Sequence, residues 1–102
     1  MDFVESKLVE LKETIVDDIK KEVIAFITSE GGNLYVGVAD DGHVIGLDDP
    51  QSDMLRLTNM IRDTIKPDAT MFVECQIEKI DTKDIVRVQV QKGTHAPYYL
   101  VG

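Results

Sequence analysis

The chain has 102 residues, of which 19 are acidic and 11 basic, giving a formal net charge of −8 at pH 7. That length fits one small domain of ordinary soluble composition, with 43% hydrophobic and 29% charged residues, and a single cysteine excludes an internal disulfide. No apolar run approaches the ~20 residues that span a bilayer, and the first ten residues lack a signal core, so we expect a cytoplasmic domain without a membrane partner.

The first third of the chain predicts a short strand and then an amphipathic helix. Residues 8–12 predict the strand. Thr14 and Asp17 fit a capping box, in which a hydroxyl and an acid three residues later bond free amides at a helix start. The helix after them repeats apolar residues at helical spacing, namely Ile15, Ile19, Val23 and Ile27.

A glycine-bounded hairpin is predicted next. Residues 31–32 are both glycine, which ends a helix at low cost because it accepts the left-handed conformation. Residues 34–38 predict a strand, and residues 44–46 predict a short return strand. The Asp-Asp-Gly sequence at residues 40–42 lies between them, and Asp-Gly between apolar stretches is a strong hairpin signal.

The second half predicts one more helix and an antiparallel pair of strands. The helix begins at Asp49-Pro50, a capping acid followed by proline at the first helical position, and stops before Pro67. Residues 71–77 and 86–90 alternate apolar and polar side chains around a turn at residues 81–84. The order β-α-β(β)-α-β-β indicates an α+β domain with two helices on one face of a mixed sheet.

Three separated blocks of the sequence resemble the Schlafen/AlbA-type domain, a nucleic-acid-binding family found at the N-terminus of bacterial and archaeal transcriptional regulators. The matching blocks are Glu5-Ser6 with residues 10–12, residues 25–46, and residues 97–100. Ala39 departs from the family pattern, which has an aspartate there. The resemblance implies an AlbA-like fold and a DNA-binding role in a regulator. Because the chain ends on Tyr-Tyr-Leu-Val-Gly, we expect residues 1–102 to be one N-terminal domain of a longer protein, with the remainder as a partner.

Some Schlafen-type members cleave RNA, and the resemblance implies a three-carboxylate site at Glu5, Glu10 and Asp40. Magnesium or manganese would suit such a site because hard cations prefer oxygen ligands, and Lys12 could neutralise the phosphate. Glu5 and Glu10 are five residues apart and would face opposite sides of a regular strand, so a shared site needs a bend between them. The alternative is that both glutamates are exposed strand-edge acids and that Asp40 only shapes a turn.

The negative net charge opposes nucleic-acid binding, which normally rests on Lys and Arg contacts to phosphates. Residues 1–30 hold eight acids and four bases (−4), residues 31–53 hold five acids and no base (−5), and residues 54–102 hold six acids and seven bases (+1). Any phosphate-facing surface should therefore draw on the basic residues of the second half: Arg56, Arg62, Lys66, Arg87 and Lys92.

Tyr98 and Tyr99 could stack on bases of a single strand, or could pack against a missing continuation or a second subunit. We therefore carry three hypotheses. The first is a DNA- or RNA-binding domain that needs no cofactor, and the second is a magnesium- or manganese-dependent RNA endonuclease. The third is an interaction or dimerisation module without nucleic-acid binding. In each case we expect a homodimer with the tail at or beside its interface.

Overall fold

The structure is a computed structural model that describes residues 3–101. Two helices and six strands occur in this part of the chain. The helices are α1 (Ile19–Thr28) and α2 (Pro50–Thr64). The strands are β1 (Val9–Lys12), β2 (Gly32–Val36), β3 (Ile65–Lys66), β4 (Val73–Ile80), β5 (Lys83–Val90) and β6 (Tyr99–Leu100). Neither helix is both long and apolar enough to cross a bilayer.

Four strands form a mixed sheet in the order β1-β2-β5-β4. β1 and β2 are parallel, with α1 as the crossover between them, whereas β2–β5 and β4–β5 are antiparallel. β3 and β6 pair separately, so the end of the C-terminal tail pairs with Ile65 and Lys66 of its own chain. The predicted α+β class and mixed sheet are confirmed.

Both helices pack on one face of the sheet, as predicted. Alternation along β2 and β5 points Leu34, Val86 and Val88 to that face, where all three are fully buried. The helix residues in the same core cluster are Ile19, Val23, Phe26, Ile27, Leu57 and Ile61. A smaller cluster around Leu11, Val38 and Ile85 covers part of the opposite face.

Helix α1 begins later than the predicted capping box. Its N-cap is Asp18, whose side chain makes no capping hydrogen bond. The amide of Ile19 instead donates to the carbonyl of Val16 at 3.1 Å, so a turn occupies the positions where the first helical turn was expected. Asp17 pairs with the ammonium of Lys20 at 3.1 Å instead of capping.

The predicted return strand after the acidic turn is reduced to one bridge, between Val38 and Val44. β2 ends at Val36 because Gly37 has a φ of 104°, which a strand cannot continue through. The carbonyl of Gly37 accepts hydrogen bonds from the amides of both Ile45 and Gly46, at 2.9 and 3.0 Å, so the hairpin closes around this distortion.

The second half follows the prediction closely. The carboxylate of Asp49 accepts a hydrogen bond from the amide of Ser52 at 3.1 Å, and α2 ends before Pro67. The β4–β5 hairpin turns through Asp81 and Thr82, which both have positive φ. Residues 70–72 form a 3-10 turn that keeps Met71 out of β4.

Candidate functional site

An open pocket of about 560 Å³ lies where β1, the segment before it and the turn after β2 meet. We call it the acidic pocket. Its lining includes Glu5, Glu10, Lys12 and Asp40, so the three carboxylates implied by the family resemblance line one pocket with the family's lysine. The remaining lining residues are Leu11, Glu13, Thr14 and Val16.

A turn at Ser6 supplies the bend that this arrangement needs. Ser6 and Val9 exchange backbone hydrogen bonds of 3.0 and 3.3 Å, and the Ser6 hydroxyl accepts the amide of Leu8 at 3.2 Å. The chain therefore reverses before β1, which brings the Glu5 side chain close to that of Glu10 in the pocket. The amide of Phe3 donates to the carbonyl of Gly42 at 3.2 Å and fastens this segment to the acidic turn.

Glu10 has the most perturbed ionisation in the pocket. Burial is the main cause that raises its pKa to about 7, helped by the hydrogen bond with Glu5 and by the negative charges of Glu22 and Glu5. The Lys12 ammonium, 3.8 Å from Glu10 and 3.9 Å from Glu22, opposes the shift. A carboxyl with this pKa exchanges protons near neutral pH.

Glu22 is a member of this charge cluster that the sequence analysis missed. It lies in the first turn of α1, and its carboxylate approaches Lys12 of β1. Neither residue type nor spacing indicated this contact, because it depends on how far α1 is displaced along the sheet.

The acidic turn presents Asp40 to the pocket and uses Asp41 for its own structure. The carboxylate of Asp41 accepts hydrogen bonds from the backbone amide of His43 at 3.1 Å and from its Nδ1 at 2.6 Å, and these bonds lower the pKa of Asp41. Ala39, at the family's aspartate position, is buried. Asp40 is thus the exposed acid of this turn that lines the pocket.

Within residues 3–101, no three His, Cys, Asp or Glu side chains are grouped closely enough to hold a metal ion. Glu5 and Glu10 are neighbours, whereas Asp40 lines the same pocket without completing a ligand set with them among the described residues. Carboxylate oxygens are the ligands that magnesium and manganese prefer. The donor type therefore fits such an ion, and a shift of side-chain positions would be needed to bring the three groups around one.

The candidate basic residues do not form a single surface. Arg56 and Arg62 are exposed on α2, and each pairs with an aspartate of the same helix, at 3.7 and 3.0 Å. Arg87 lies on the opposite face of the sheet, half-buried, with its Nε 3.0 Å from Glu78 and its Nη2 2.9 Å from Gln76. The exposed Lys92 follows β5.

The two tyrosines are in contrasting environments. Tyr98 is 6% exposed, its ring packs on Gly93, and its hydroxyl accepts the amide of His95 at 3.1 Å, so the ring is not accessible for stacking on a base. Tyr99 is 55% exposed and lies directly opposite Lys66 in the β3–β6 ladder. Opposed residues of a ladder project to the same side, so an exposed aromatic ring and an exposed ammonium are neighbours. We call these two residues the Lys66–Tyr99 patch.

Comparison with known proteins gives a family and a structural neighbour. The family model described as Schlafen, AlbA_2 matches residues 5–101. The solution NMR structure of the N-terminal domain of the "Putative ATP-dependent DNA Helicase RecG-related Protein" from Nitrosomonas europaea is similar, with a TM-score of 0.77 and 25% sequence identity. The match covers 96% of this chain and 72% of that one. No curated protein matches the chain.

Proposed function

The chain belongs to the Schlafen AlbA_2 family, and on that premise we propose that it is a nucleic-acid-binding domain. Its role in a longer protein would be that of the DNA-binding domain of a transcriptional regulator. The family match supports this proposal, and so does the name of the structural neighbour, which is the N-terminal domain of a protein related to a DNA helicase.

The observation that carries the proposal is the Lys66–Tyr99 patch beside the last turn of α2. An exposed aromatic ring next to basic side chains is the usual means of holding single-stranded nucleic acid, because bases stack on the ring and cations contact phosphates. Arg62 lies in that last turn, and Arg56 lies six residues earlier, about 9 Å along the helix axis.

The ion pairs of these arginines with neighbouring aspartates do not prevent phosphate binding. Both arginine side chains are more than half exposed, and exposed ion pairs of this kind contribute little stability. A phosphate can therefore replace the aspartate at small cost. Because the domain carries a net charge of −8, we expect binding to be weak and strongly dependent on salt.

The test is the salt dependence of binding to a labelled single-stranded 20-mer, measured by fluorescence anisotropy. Replacing Arg56, Arg62 and Lys66 by alanine should reduce the slope of log K against log salt by about 0.7 for each lost contact to a single strand. The control replaces Lys7, Lys21 and Lys79 by alanine. These lysines are exposed, and their replacement removes the same positive charge. Equal slopes for both triple variants would reject the interface.

A second candidate function, metal-dependent RNA cleavage, is favoured by the acidic pocket. Glu5, Glu10 and Asp40 would hold a magnesium or manganese ion, which supplies charge stabilisation and an activated water when bound. Lys12, which lines the same pocket, would neutralise a phosphate oxygen. Glu10, whose pKa is raised to about 7 by burial, would have to release its proton to bind the ion, so we expect metal binding to strengthen as the pH rises.

This second function has two independent readouts. Manganese should broaden the amide NMR signals of residues around the pocket, and Glu10→Gln should abolish that broadening whereas Glu13→Gln, a change at an exposed pocket residue, should retain it. Incubation of tRNA with manganese should give cleavage that is lost in Glu10→Gln. Broadening without cleavage would indicate metal binding without a nuclease, and the absence of both would reject this function.

A further inference from the structure

We propose that the edge strand β4 binds an extended peptide of another protein by strand addition. The peptide would place an apolar side chain at a groove between α2 and β4 and a basic side chain next to Glu74. The groove, which we call the α2–β4 groove, has a volume of about 260 Å³. It is lined by Met54, Thr58, Ile61, Thr70, Val73, Glu74 and Cys75.

β4 is the last strand of the sheet and pairs only with β5 within residues 3–101. The amide of Gln91 donates to the carbonyl of Phe72 at 2.8 Å, next to the Val73–Val90 pair. Because hydrogen-bonded pairs alternate along an antiparallel ladder, even-numbered residues of β4 bond β5 and odd-numbered residues point their amides and carbonyls outward. Among the described residues, no backbone group bonds the outward groups of Cys75 or Ile77.

Edge strands are usually protected by lysine, proline or a bulge, since their free backbone groups invite pairing with another chain. The first outward-pointing positions of β4 are Val73, Cys75 and Ile77, which are all apolar. The only lysine of this strand is Lys79, near its far end, and it pairs with Asp84 at 3.1 Å. The first half of the edge is therefore unprotected.

The α2–β4 groove lies on the helix face of the sheet, beside the edge at which a strand would be added. Met54, Thr58 and Ile61 repeat at helical spacing along α2, and Val73 and Cys75 alternate along β4. A residue placed directly opposite Cys75 projects its side chain to the same face as Cys75, which is the helix face. One apolar peptide side chain would thus enter the groove while its backbone pairs with the edge, a recognised mode of peptide binding.

The negative charge of Glu74 favours a foreign basic peptide over a second copy of the domain. Glu74 bonds the side-chain amide of Gln76, and no lysine or arginine of the described residues pairs with it. A basic peptide side chain opposite Glu74 would therefore gain an ion pair. A second copy paired at this edge would instead bring its own Glu74 and Glu78 towards the same carboxylates.

The side chains of β4 also oppose symmetric pairing. In a two-fold antiparallel pair, opposed residues must lie on the same face, so their numbers differ by an even number. Of the two longest registers that satisfy this, one places Glu74 opposite Glu78 of the other copy. The second places Lys79 opposite Cys75, at the apolar groove. Both contacts are unfavourable, which leaves a basic, alternately apolar peptide as the occupant.

The probe is a labelled heptapeptide that alternates lysine and valine, titrated onto the 102-residue chain. In an antiparallel pair with β4, its valines would lie opposite the odd-numbered residues. The valine backbone amides would then donate hydrogen bonds to the outward carbonyls of those residues. N-methylation of the valines should weaken binding at least tenfold, whereas N-methylation of the lysines, whose amides would point away, should leave affinity within about twofold. In the complex, amide hydrogen exchange of Cys75 and Ile77 should slow, while that of Gln76 should change little.

The charge argument is tested by reversing Glu74. Glu74→Lys should weaken binding of the lysine–valine peptide about fivefold and allow a glutamate–valine peptide to bind instead, since reversal replaces an exposed attraction by a repulsion. Glu30→Lys changes the net charge equally at an exposed site after α1 and should leave both affinities within about twofold. Similar losses in the two variants would indicate non-specific attraction and overturn the proposal.

Three further results would also overturn it. One is the absence of any change at the Cys75 and Ile77 amides with millimolar peptide. Another is equal weakening by both N-methylated peptides. The third is protection of these two amides in the free chain together with a dimeric mass, which would assign the edge to a second copy.

Discussion

Replacing Glu10 by glutamine should flatten the pH dependence of folding stability between about pH 5 and pH 8. The unfolded chain releases the Glu10 proton near the ordinary pKa of 4.5, whereas the folded chain retains it until about pH 7 because burial and the Glu5 bond favour the neutral acid. Between these values the folded state binds more protons than the unfolded state. Its stability therefore falls as the pH rises through this window, and the glutamine variant lacks that decrease.

The size of the effect follows from the shift and from the exposure of the side chain. A rise in pKa from 4.5 to about 7 corresponds to an upper limit of roughly 3 kcal/mol in the free energy of unfolding. The Glu10 side chain is 25% exposed, so solvent screens part of its interaction with Glu5 and Glu22. We expect about 1–2 kcal/mol after that reduction.

Urea unfolding of the wild type, Glu10→Gln and Glu13→Gln at about pH 5 and pH 8 measures this quantity. Between these pH values the wild type should lose about 1–2 kcal/mol more than Glu10→Gln and about as much as Glu13→Gln. Contributions from the ionisable groups that these proteins share cancel in the difference. Parallel pH profiles for the wild type and Glu10→Gln would refute the reasoning, and so would an NMR titration of Glu10 near pH 4.5.

Four other predictions concern the acidic turn, the α2 cap, the two C-terminal tyrosines and self-association. Gly42→Ala should reduce the free energy of unfolding by about 1–3 kcal/mol in urea titrations, because Gly42 has a φ of 95° and an added methyl would collide with the Phe3 backbone. Asp49→Ala should cost about 1 kcal/mol and lower Tm by about 4–8 °C in a calorimetric scan, through loss of the α2 cap. Tyr98→Ala should cost about 3–5 kcal/mol in the same assay, and Tyr99→Ala less than 1, since only the first ring is buried. Self-association stays a prediction, and light scattering that gives a monomer mass from micromolar to millimolar concentration would contradict it.

Secondary-structure elements that depend on nearby residues alone were predicted well from the sequence. The start of α2 depends on Asp49 and on the proline after it, and β4 and β5 depend on strict alternation. The predicted start of α1 was wrong. Thr14 and Asp17 are suitable residues for a capping box, but a turn closed by the hydrogen bond from Ile19 to Val16 occupies those positions. A local motif cannot report a competing turn that the packing of Ile19 in the core stabilises.

The candidate sites show the same difference between features with a local cause and features that depend on tertiary packing. The turn at Ser6 brings Glu5 to Glu10, and the sequence indicated only that some bend was needed. The contact of Glu22 with Lys12 depends on the placement of α1 and had no local signal. The position of Arg87, in contrast, follows from its alternation with the valines that face the helices. The sequence analysis nevertheless grouped it with the basic residues of α2, because it used charge alone and not the faces of the strand.

An NMR titration of the isotope-labelled chain with single-stranded DNA, and then with RNA of the same sequence, tests the central claim most directly. At ~50 mM salt, where phosphate contacts are strong, we predict amide shifts confined to the exposed side of α2 and to the Lys66–Tyr99 patch. These shifts should largely disappear at ~200 mM salt. No shifts with either nucleic acid at the lower salt concentration would contradict the assignment of this domain to nucleic-acid binding.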